Sequence, residues 1–286
     1  MHHLSEAIQT TKETLSYNGI PEASLEAKLL VNWITKTNPT DIVIRPNIRL
    51  SPQQTAQLKK AIKQRIAGKP LYRIIGTREF YGIPFTLSRD TLEPRSDTET
   101  LVDLVLPILQ QHAKRLENII FLDMGTGSGA IAVALLKNVD KTHAVAVDIS
   151  ENALKTAVKN ATNAKIAHRF TPLLSNWFNA VSGQFDLIIS NPPYIPQKDI
   201  KNLAKEVRDH DPLRALIGGK DGLYFYKKLA RESINHLKEG GHIAVEVGYS
   251  QNEIVCDIFE QNGFKCLETR KDLNNIPRAL LFSFNH

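Results

Sequence analysis

Phe121-Leu122-Asp123-Met124-Gly125-Thr126-Gly127-Ser128-Gly129-Ala130 passes from an apolar run, through three alternating glycines, into residues of helical character. A run of this kind predicts a buried strand that turns directly into a helix, over a loop where the missing Cβ atoms let a ligand reach the backbone. Around it, short apolar runs alternate with helical segments from Ile119 onward, the signature of a parallel sheet covered on both faces. Strands are expected at 119–123, 144–148, 168–172, 185–190, 242–247, 264–269 and 279–284, and helices at 129–138, 150–162, 222–238 and 250–262. Only Arg270 to Arg278 separates the last two strands, too little for a crossover helix, so the final strand is expected to run antiparallel. The fold class is α/β: a Rossmann-like, seven-stranded mixed sheet.

Upstream the pattern is helical. Leu4, Ala7, Ile8, Thr11 and Leu15 recur at helical spacing, and Gly19-Ile20-Pro21 breaks the helix. A second helix carries Leu25, Leu29, Leu30, Trp33 and Ile34 on one expected face. Asn38-Pro39 and Arg45-Pro46 interrupt the chain before Ser51-Pro52-Gln53-Gln54, which reads as N-cap, first-position proline and capping-box Gln. Leu58, Ala61, Ile62 and Ile66 form that third helix's stripe, and Gly68-Lys69-Pro70 ends it. Residues 1–70 are therefore expected to form a small helical domain, 71–95 a hairpin linker with its turn at Gly82-Ile83-Pro84, and 96–286 the main domain. The helix after Pro94 is expected to use Leu101, Val102, Val105 and Leu109, with Ser96 or Asp97 as its cap and Pro107 as a possible bend.

The 286 residues suffice for two cores, and 36 Lys and Arg against 30 Asp and Glu give a formal charge of +6, which permits an acidic protein or a nucleic acid as partner and demands neither. Cys256 and Cys266 are too few for a disulfide framework, and no His or Cys spacing suits a metal, so a reducing compartment, the cytoplasm, is expected. Met1-His2-His3-Leu4 opens no apolar run, and no long apolar stretch follows, so neither a signal peptide nor a membrane span is expected.

Three further features accompany the glycine loop. Asp148 ends the next strand, where a carboxylate can accept hydrogen bonds from both hydroxyls of an adenosine ribose; Ser150 is free to cap the following helix. Ser175-Asn176-Trp177-Phe178 follows the third strand, so Trp177 is either an aromatic wall beside an adenine or a core residue. Ser190-Asn191-Pro192-Pro193-Tyr194 ends the fourth strand. Its two prolines fix successive φ angles and withhold two N–H groups, leaving carbonyls and the Asn191 side chain to hold a planar amino group. Gly125, Gly127 and Ala130 also meet the generic dinucleotide fingerprint, so the loop alone serves a nicotinamide cofactor as well as S-adenosylmethionine.

The glycine loop, Asp148 and the Asn-Pro-Pro-Tyr turn together resemble the class I S-adenosylmethionine-dependent methyltransferases that act on amino groups attached to a planar π system. Within that class the chain resembles the release-factor glutamine methyltransferases from about residue 68 to its end. The resemblance is carried by Gly68-Lys69-Pro70-Leu71, Ile74-Ile75-Gly76, Glu79-Phe80-Tyr81-Gly82, Leu92 to Glu99, Gly125 to Ala130, Asp148, Asn191 to Tyr194, Pro212 to Leu216 and Gly218 to Leu223. It implies methylation of the glutamine amide nitrogen in the Gly-Gly-Gln motif of peptide chain release factors. It assigns cofactor binding to Gly125, Thr126, Gly127, Ser128, Gly129, Asp148, Trp177 and Asn191, and the glutamine site to Asn191, Pro192, Pro193 and Tyr194, with no metal.

Two departures stand out: Glu93-Pro94-Arg95-Ser96 where the family often has Ile-Pro-Arg-Pro, and Asn176 where an acidic residue is usual. The first keeps open a sister branch that methylates a glutamine of a ribosomal protein. A DNA adenine methyltransferase would need a basic, aromatic recognition region for base flipping, which the chain lacks. A non-catalytic binding protein would rest on the positive charge alone. The expected partner is a release factor, with no stable nucleic-acid or membrane binding, and the expected state a monomer.

Overall fold

The computed structural model describes residues 3–45, 47–115 and 118–284; of the features above, Met1, His2, Pro46 and the last two residues lie outside this range. The chain divides into two compact units, residues 1–77 and 78–286.

The first unit contains α1 (Leu4–Tyr17), α2 (Ala23–Thr35), α3 (Asp41–Ile44), α4 (Pro52–Ile66) and α5 (Leu71–Ile75). The expected stripe of α1 is buried without exception. The capping box of α4 forms as read: the Gln54 N–H donates to Ser51 Oγ at 3.1 Å and the Ser51 N–H to Gln54 Oε1 at 2.9 Å. The face of α2 differs from expectation. Ala23, Glu26, Ala27, Leu30, Val31 and Ile34 point inward, while Leu25 and Trp33 are 52% and 42% exposed. The cause is a buried bidentate pair, Arg65 Nε to Glu26 Oε2 at 2.6 Å and NH2 to Oε1 at 3.0 Å. A carboxylate sheds water at tolerable cost only when paired. Glu26 therefore occupies a core position that apolar periodicity assigns to the surface. In α4, Arg65 takes the inward place expected of Ile66, which is exposed.

A hairpin follows, β1 (Thr77–Phe80) and β2 (Ile83–Thr86). Its turn is the two-residue Tyr81-Gly82, both at positive φ (52° and 71°), in place of the expected Gly82 to Pro84. Two positive φ values match the right-handed twist of paired strands, and Pro84 is tolerated inside β2 because a two-stranded ribbon leaves an edge without ladder bonds. Asn160 ties the hairpin to the main unit: its side-chain oxygen accepts from the Thr86 N–H at 2.8 Å, and its NH2 donates to the Thr86 carbonyl at 3.1 Å.

The main unit then runs α6 (Glu99–Arg115), β3 (Ile119–Met124), α7 (Ala130–Asn138), β4 (Thr142–Asp148), α8 (Glu151–Asn163), β5 (Phe170–Leu174), β6 (Phe185–Ser190), α9 (Lys205–His210), α10 (Tyr224–Glu232), β7 (Leu237–Glu246), α11 (Asn252–Glu260), β8 (Phe264–Lys271) and β9 (Pro277–Phe284). The sheet order is β5-β4-β3-β6-β7-β9-β8; β9 alone runs antiparallel, inserted between β7 and β8. This is the expected seven-stranded mixed sheet. Alternating side chains separate two cores: Ile119 and Phe121 of β3 join α6 and α7 on one face, and Leu122 and Met124 join α10 and α11 on the other.

Several element ends differ from the expected ones. Residues 167–169 form a short turn before β5, because the Arg169 guanidinium reaches back to the carbonyls of Leu136, Val139 and Asp140 at 2.6–2.9 Å. The helix expected to reach residue 238 ends at Glu232, since Leu237 must already pair with Phe185 in the sheet. Neither Ser96 nor Asp97 caps α6: both lie in a single helical turn ahead of it, and Asp97 pairs instead with Arg278 at 3.1 Å. Among the described residues no helix is long and apolar enough to cross a membrane.

Candidate active site

The chain leaves β3, runs outward to β5 and returns to β6 beside β3, so β3 and β6 flank the point where strand order reverses. Ligands of open α/β sheets bind beyond the carboxyl ends of the strands at such a point. Met124 pairs in register with Ser190, and Ser190 Oγ donates to the Met124 carbonyl at 2.8 Å, so the glycine loop and the Asn-Pro-Pro-Tyr turn leave the sheet side by side.

Between them opens a cavity of about 270 Å³. Gly125, Thr126, Gly127, Ser128, Asp148, Trp177, Asn191 and Pro193 line it; Gly129, Pro192 and Tyr194 do not. Gly125, Gly127 and Gly129 all have positive φ. At Gly125 an added Cβ would meet nothing within 4 Å, and at Gly127 only the Gly125 carbonyl at 3.9 Å, so the space above the loop is open for a ligand. Gly129 serves differently: a Cβ there would press on Ala157 of α8 at 3.1 Å, so this glycine lets two helices approach and supports the loop from behind.

The loop is held from both sides. Asp148 accepts from the N–H groups of Gly127 (2.9 Å) and Ser150 (2.8 Å), while Ser150 Oγ caps α8 by accepting from Ala153 N–H at 3.3 Å. Burial raises the Asp148 carboxyl above its usual range, opposed by those backbone donors. Beneath it Asp123, fully buried, accepts from Thr126 Oγ1 at 2.7 Å and Ala132 N–H at 3.3 Å; burial lifts its pKa to about 6. Trp177 is a wall of the cavity, with its ring stacked on Phe225 of α10 at 4.5 Å. Phe225 has no motif of its own in the sequence; the aromatic triplet Tyr224-Phe225-Tyr226 is its only local signal. The cavity thus fits an adenosine-bearing cofactor: open backbone at the glycines, a carboxylate at the end of β4 and aromatic faces beyond it.

At the other end Asn191 donates its NH2 to Glu246 Oε2 at 2.8 Å and to Thr98 Oγ1 at 3.2 Å. Tyr194 turns away from the cavity into the α10–α11 core, its hydroxyl 3.4 Å from Glu246 Oε1, and burial with that neighbouring carboxylate raises its pKa strongly. It therefore does not present its ring to the cavity, although the resemblance assigns it to the glutamine site. Tyr226 donates to the Glu246 carbonyl at 2.9 Å.

The segment from Pro212 to Leu223 braces the turn. The Ile195 N–H donates to the Leu216 carbonyl at 2.9 Å, and the Gly218 N–H to the Ile195 carbonyl at 2.8 Å. Gln251 donates to the Tyr194 carbonyl at 3.0 Å. Arg95 lines the cavity and pairs with buried Asp211 at 2.6 Å. Among the described residues no group of three His, Cys, Asp or Glu could hold a metal ion.

The sequence is similar to known proteins over nearly its full length. Residues 6–76 match the PrmC N-terminal domain, and residues 98–210 the methyltransferase small domain. A release factor glutamine methyltransferase of Agrobacterium fabrum is 40% identical over 98% of this chain and 96% of its own, and one of Bradyrhizobium diazoefficiens 37% identical over 96% and 94%. A bifunctional methyltransferase of Rickettsia typhi is 32% identical over 99% of this chain and 57% of its own length. Among solved structures the hMettl16 catalytic domain superposes with a TM-score of 0.58 at 14% identity, covering 90% of this chain and 91% of that one, a likeness of fold. Identity of this level over nearly the full length of both chains decides the matter: the chain belongs to the release factor glutamine methyltransferase family.

Proposed function

We propose that the protein uses S-adenosylmethionine to methylate the side-chain amide nitrogen (N5) of the glutamine in the Gly-Gly-Gln motif of peptide chain release factors. The observation that carries this reading is the Asn191 amide, anchored by both hydrogens on a cavity that begins at the glycine loop. Gly125, Thr126, Gly127, Ser128 and Asp148 would hold the cofactor, with Gly129 shaping the loop and Trp177 walling the far side. When bound, the cofactor supplies an electrophilic methyl group.

An amide nitrogen is a weak nucleophile because its lone pair is delocalised. With its NH2 engaged, Asn191 has its Oδ1 left to accept from the substrate NH2. That contact orients the nitrogen and stabilises the positive charge that develops on it. No strong base is required beforehand, because the nitrogen's proton becomes acidic only as the new bond forms. Pro193 stiffens the turn, and Tyr194 fixes it to the core.

Labelled methyl is expected to pass to a release factor and not to the same factor with its Gly-Gly-Gln glutamine replaced. A ribosomal protein assayed in parallel tests the sister branch. Equal labelling of the intact and substituted factors would refute the substrate assignment.

The helical unit, residues 1–70 in the sequence reading, is proposed to contact the protein substrate through the outward face of α2. Leu25 and Trp33 stand exposed there with no core role. Leu25→Asp with Trp33→Asp is expected to raise KM for the whole release factor by about tenfold, the worth of one lost apolar contact region. KM for a short Gly-Gly-Gln peptide should stay unchanged, and an equal effect on both would overturn the assignment. A cytoplasmic location, a monomeric state and the absence of stable nucleic-acid binding are part of the same proposal; the two free thiols suit a reducing compartment.

A further inference from the structure

Glu246 ends β7 almost wholly buried, yet nothing in the methyl-transfer reading requires a carboxylate at that point. A side-chain amide has two ends of nearly equal size, one a donor and one an acceptor, and a turn of the terminal torsion exchanges them. What selects one orientation is the set of partners behind it. At Asn191 those partners are Glu246 Oε2 at 2.8 Å and Thr98 Oγ1 at 3.2 Å. An ionised carboxylate only accepts. Thr98 also hydrogen-bonds Glu246, so its hydroxyl proton is directed to the carboxylate and its oxygen is left to accept from Asn191. A reversed Asn191 would set its carbonyl against a buried carboxylate, with neither NH bond made.

We propose that Glu246 is a positioning residue that fixes which end of the Asn191 amide faces the acceptor cavity, so that the site takes an amino group and disfavours a carbonyl or carboxylate. The inference rests on the glutamine reading above and adds to it the origin of the choice between the two ends of a glutamine amide. A glutamine bound by its oxygen would point its nitrogen away from the transferable methyl. A glutamate in its place would offer no N–H at all.

The groups facing Glu246 come from each element packed on it: the Tyr194 hydroxyl from the turn, the Tyr226 hydroxyl from α10, Asp97 and Thr98 from the segment before α6, and Arg278 from β9. Arg278 is engaged by Asp272 at 2.9 Å and Asp97 at 3.1 Å, so its charge is shared and does not neutralise Glu246 alone. Burial consequently raises the Glu246 pKa to about 7. Once protonated, Glu246 can donate to the Asn191 oxygen and permit the reversed orientation.

The test compares wild type and Glu246→Gln, a change of nearly constant shape that allows the reversed pairing. Dissociation constants are measured with S-adenosylhomocysteine present for a release factor carrying Gly-Gly-Gln and for the same factor carrying Gly-Gly-Glu. The preference for glutamine over glutamate is expected to fall at least about tenfold in Glu246→Gln, the equivalent of one hydrogen bond changed from favourable to unfavourable. kcat should fall about 100-fold with little change in KM, because the substrate still binds but in the wrong orientation. A purely structural defect would weaken both factors equally and leave the ratio untouched, which would overturn the proposal. Should the variant fail to fold, the wild-type profile decides: kcat should decline on the acid side between about pH 6 and 9, and a flat profile would overturn the proposal. Failure of the wild type to methylate the Gly-Gly-Gln factor would refute the glutamine reading itself, whereas methylation with an unchanged ratio in Glu246→Gln would refute only the role of Glu246.

Discussion

Asn191→Ala is expected to lower kcat by about 10²–10³-fold, the effect of removing one oriented acceptor from a site where charge develops during reaction. Affinity for S-adenosylhomocysteine should change by no more than about tenfold, the worth of one contact. The asymmetry follows from where the two functions are held. The glycine loop is fastened by Asp148 through Gly127 N–H at 2.9 Å and by the Val147 carbonyl, which accepts from Gly125 and Thr126 at 2.9 and 2.8 Å. None of these bonds passes through Asn191. The substitution does remove the donor that Glu246 and Thr98 share, so thermal stability should fall by roughly 1–3 kcal/mol, the cost of leaving a buried acceptor unpaired. Single-turnover kinetics beside a titration with S-adenosylhomocysteine separates the effects. Turnover within a few-fold of wild type would remove Asn191 from the mechanism.

Gly222→Ala is expected to do nearly as much harm from outside the cavity. A Cβ at Gly222 would collide with the Tyr194 carbonyl oxygen and lie 2.9 Å from Gln251 Nε2, which donates to that same carbonyl. The residue also has φ of +81°, a conformation that costs an L residue roughly 1–2 kcal/mol before any clash. Overpacking adds about 1–3 kcal/mol, giving a total near 2–5 kcal/mol. For a unit of this size the melting temperature should drop by about 5–15 °C. The backbone that must yield belongs to the Asn-Pro-Pro-Tyr turn, so kcat should fall as well while secondary structure persists. Gly218 stands in the same relation, 2.7 Å from the Pro193 carbonyl and from Tyr194 Cα by the same construction, and its alanine variant should behave alike. Calorimetry and circular dichroism with an activity assay give the result, and wild-type melting with wild-type turnover would contradict it.

These glycines explain why the Gly218-Gly219-Lys220-Asp221-Gly222 stretch accompanies the turn. In the sequence it was a family marker without a task; in the folded chain it is the floor under Pro193 and Tyr194. The contact joins residues far apart in the chain, and no local spacing announces it. The same holds for Glu246 and Thr98, whose bonds to Asn191 span 55 and 93 residues. Tyr194 shows the converse: the resemblance assigned it to the glutamine site, but its hydroxyl is drawn to Glu246 and its ring into the core.

Elements legible in the sequence were those set by short-range physics. The periodicity of α1, the capping box at Ser51 and the apolar runs of β3 to β9 depend on neighbours within a turn or along a strand, and so does the strand-loop-helix passage through Gly125. The antiparallel last strand follows from a connection too short for a crossover. The face of α2 was misread because one long-range ion pair, Glu26 with Arg65, reverses the apparent polarity of a helix position. Sequence alone therefore determined the α/β architecture, the glycine loop and the Asn-Pro-Pro-Tyr turn, because each is a property of consecutive residues. Only the tertiary structure decided which atom of Asn191 faces the cavity and what holds it there. An amide's orientation is fixed by partners that the fold brings together across the sheet, and no stretch of chain contains them all.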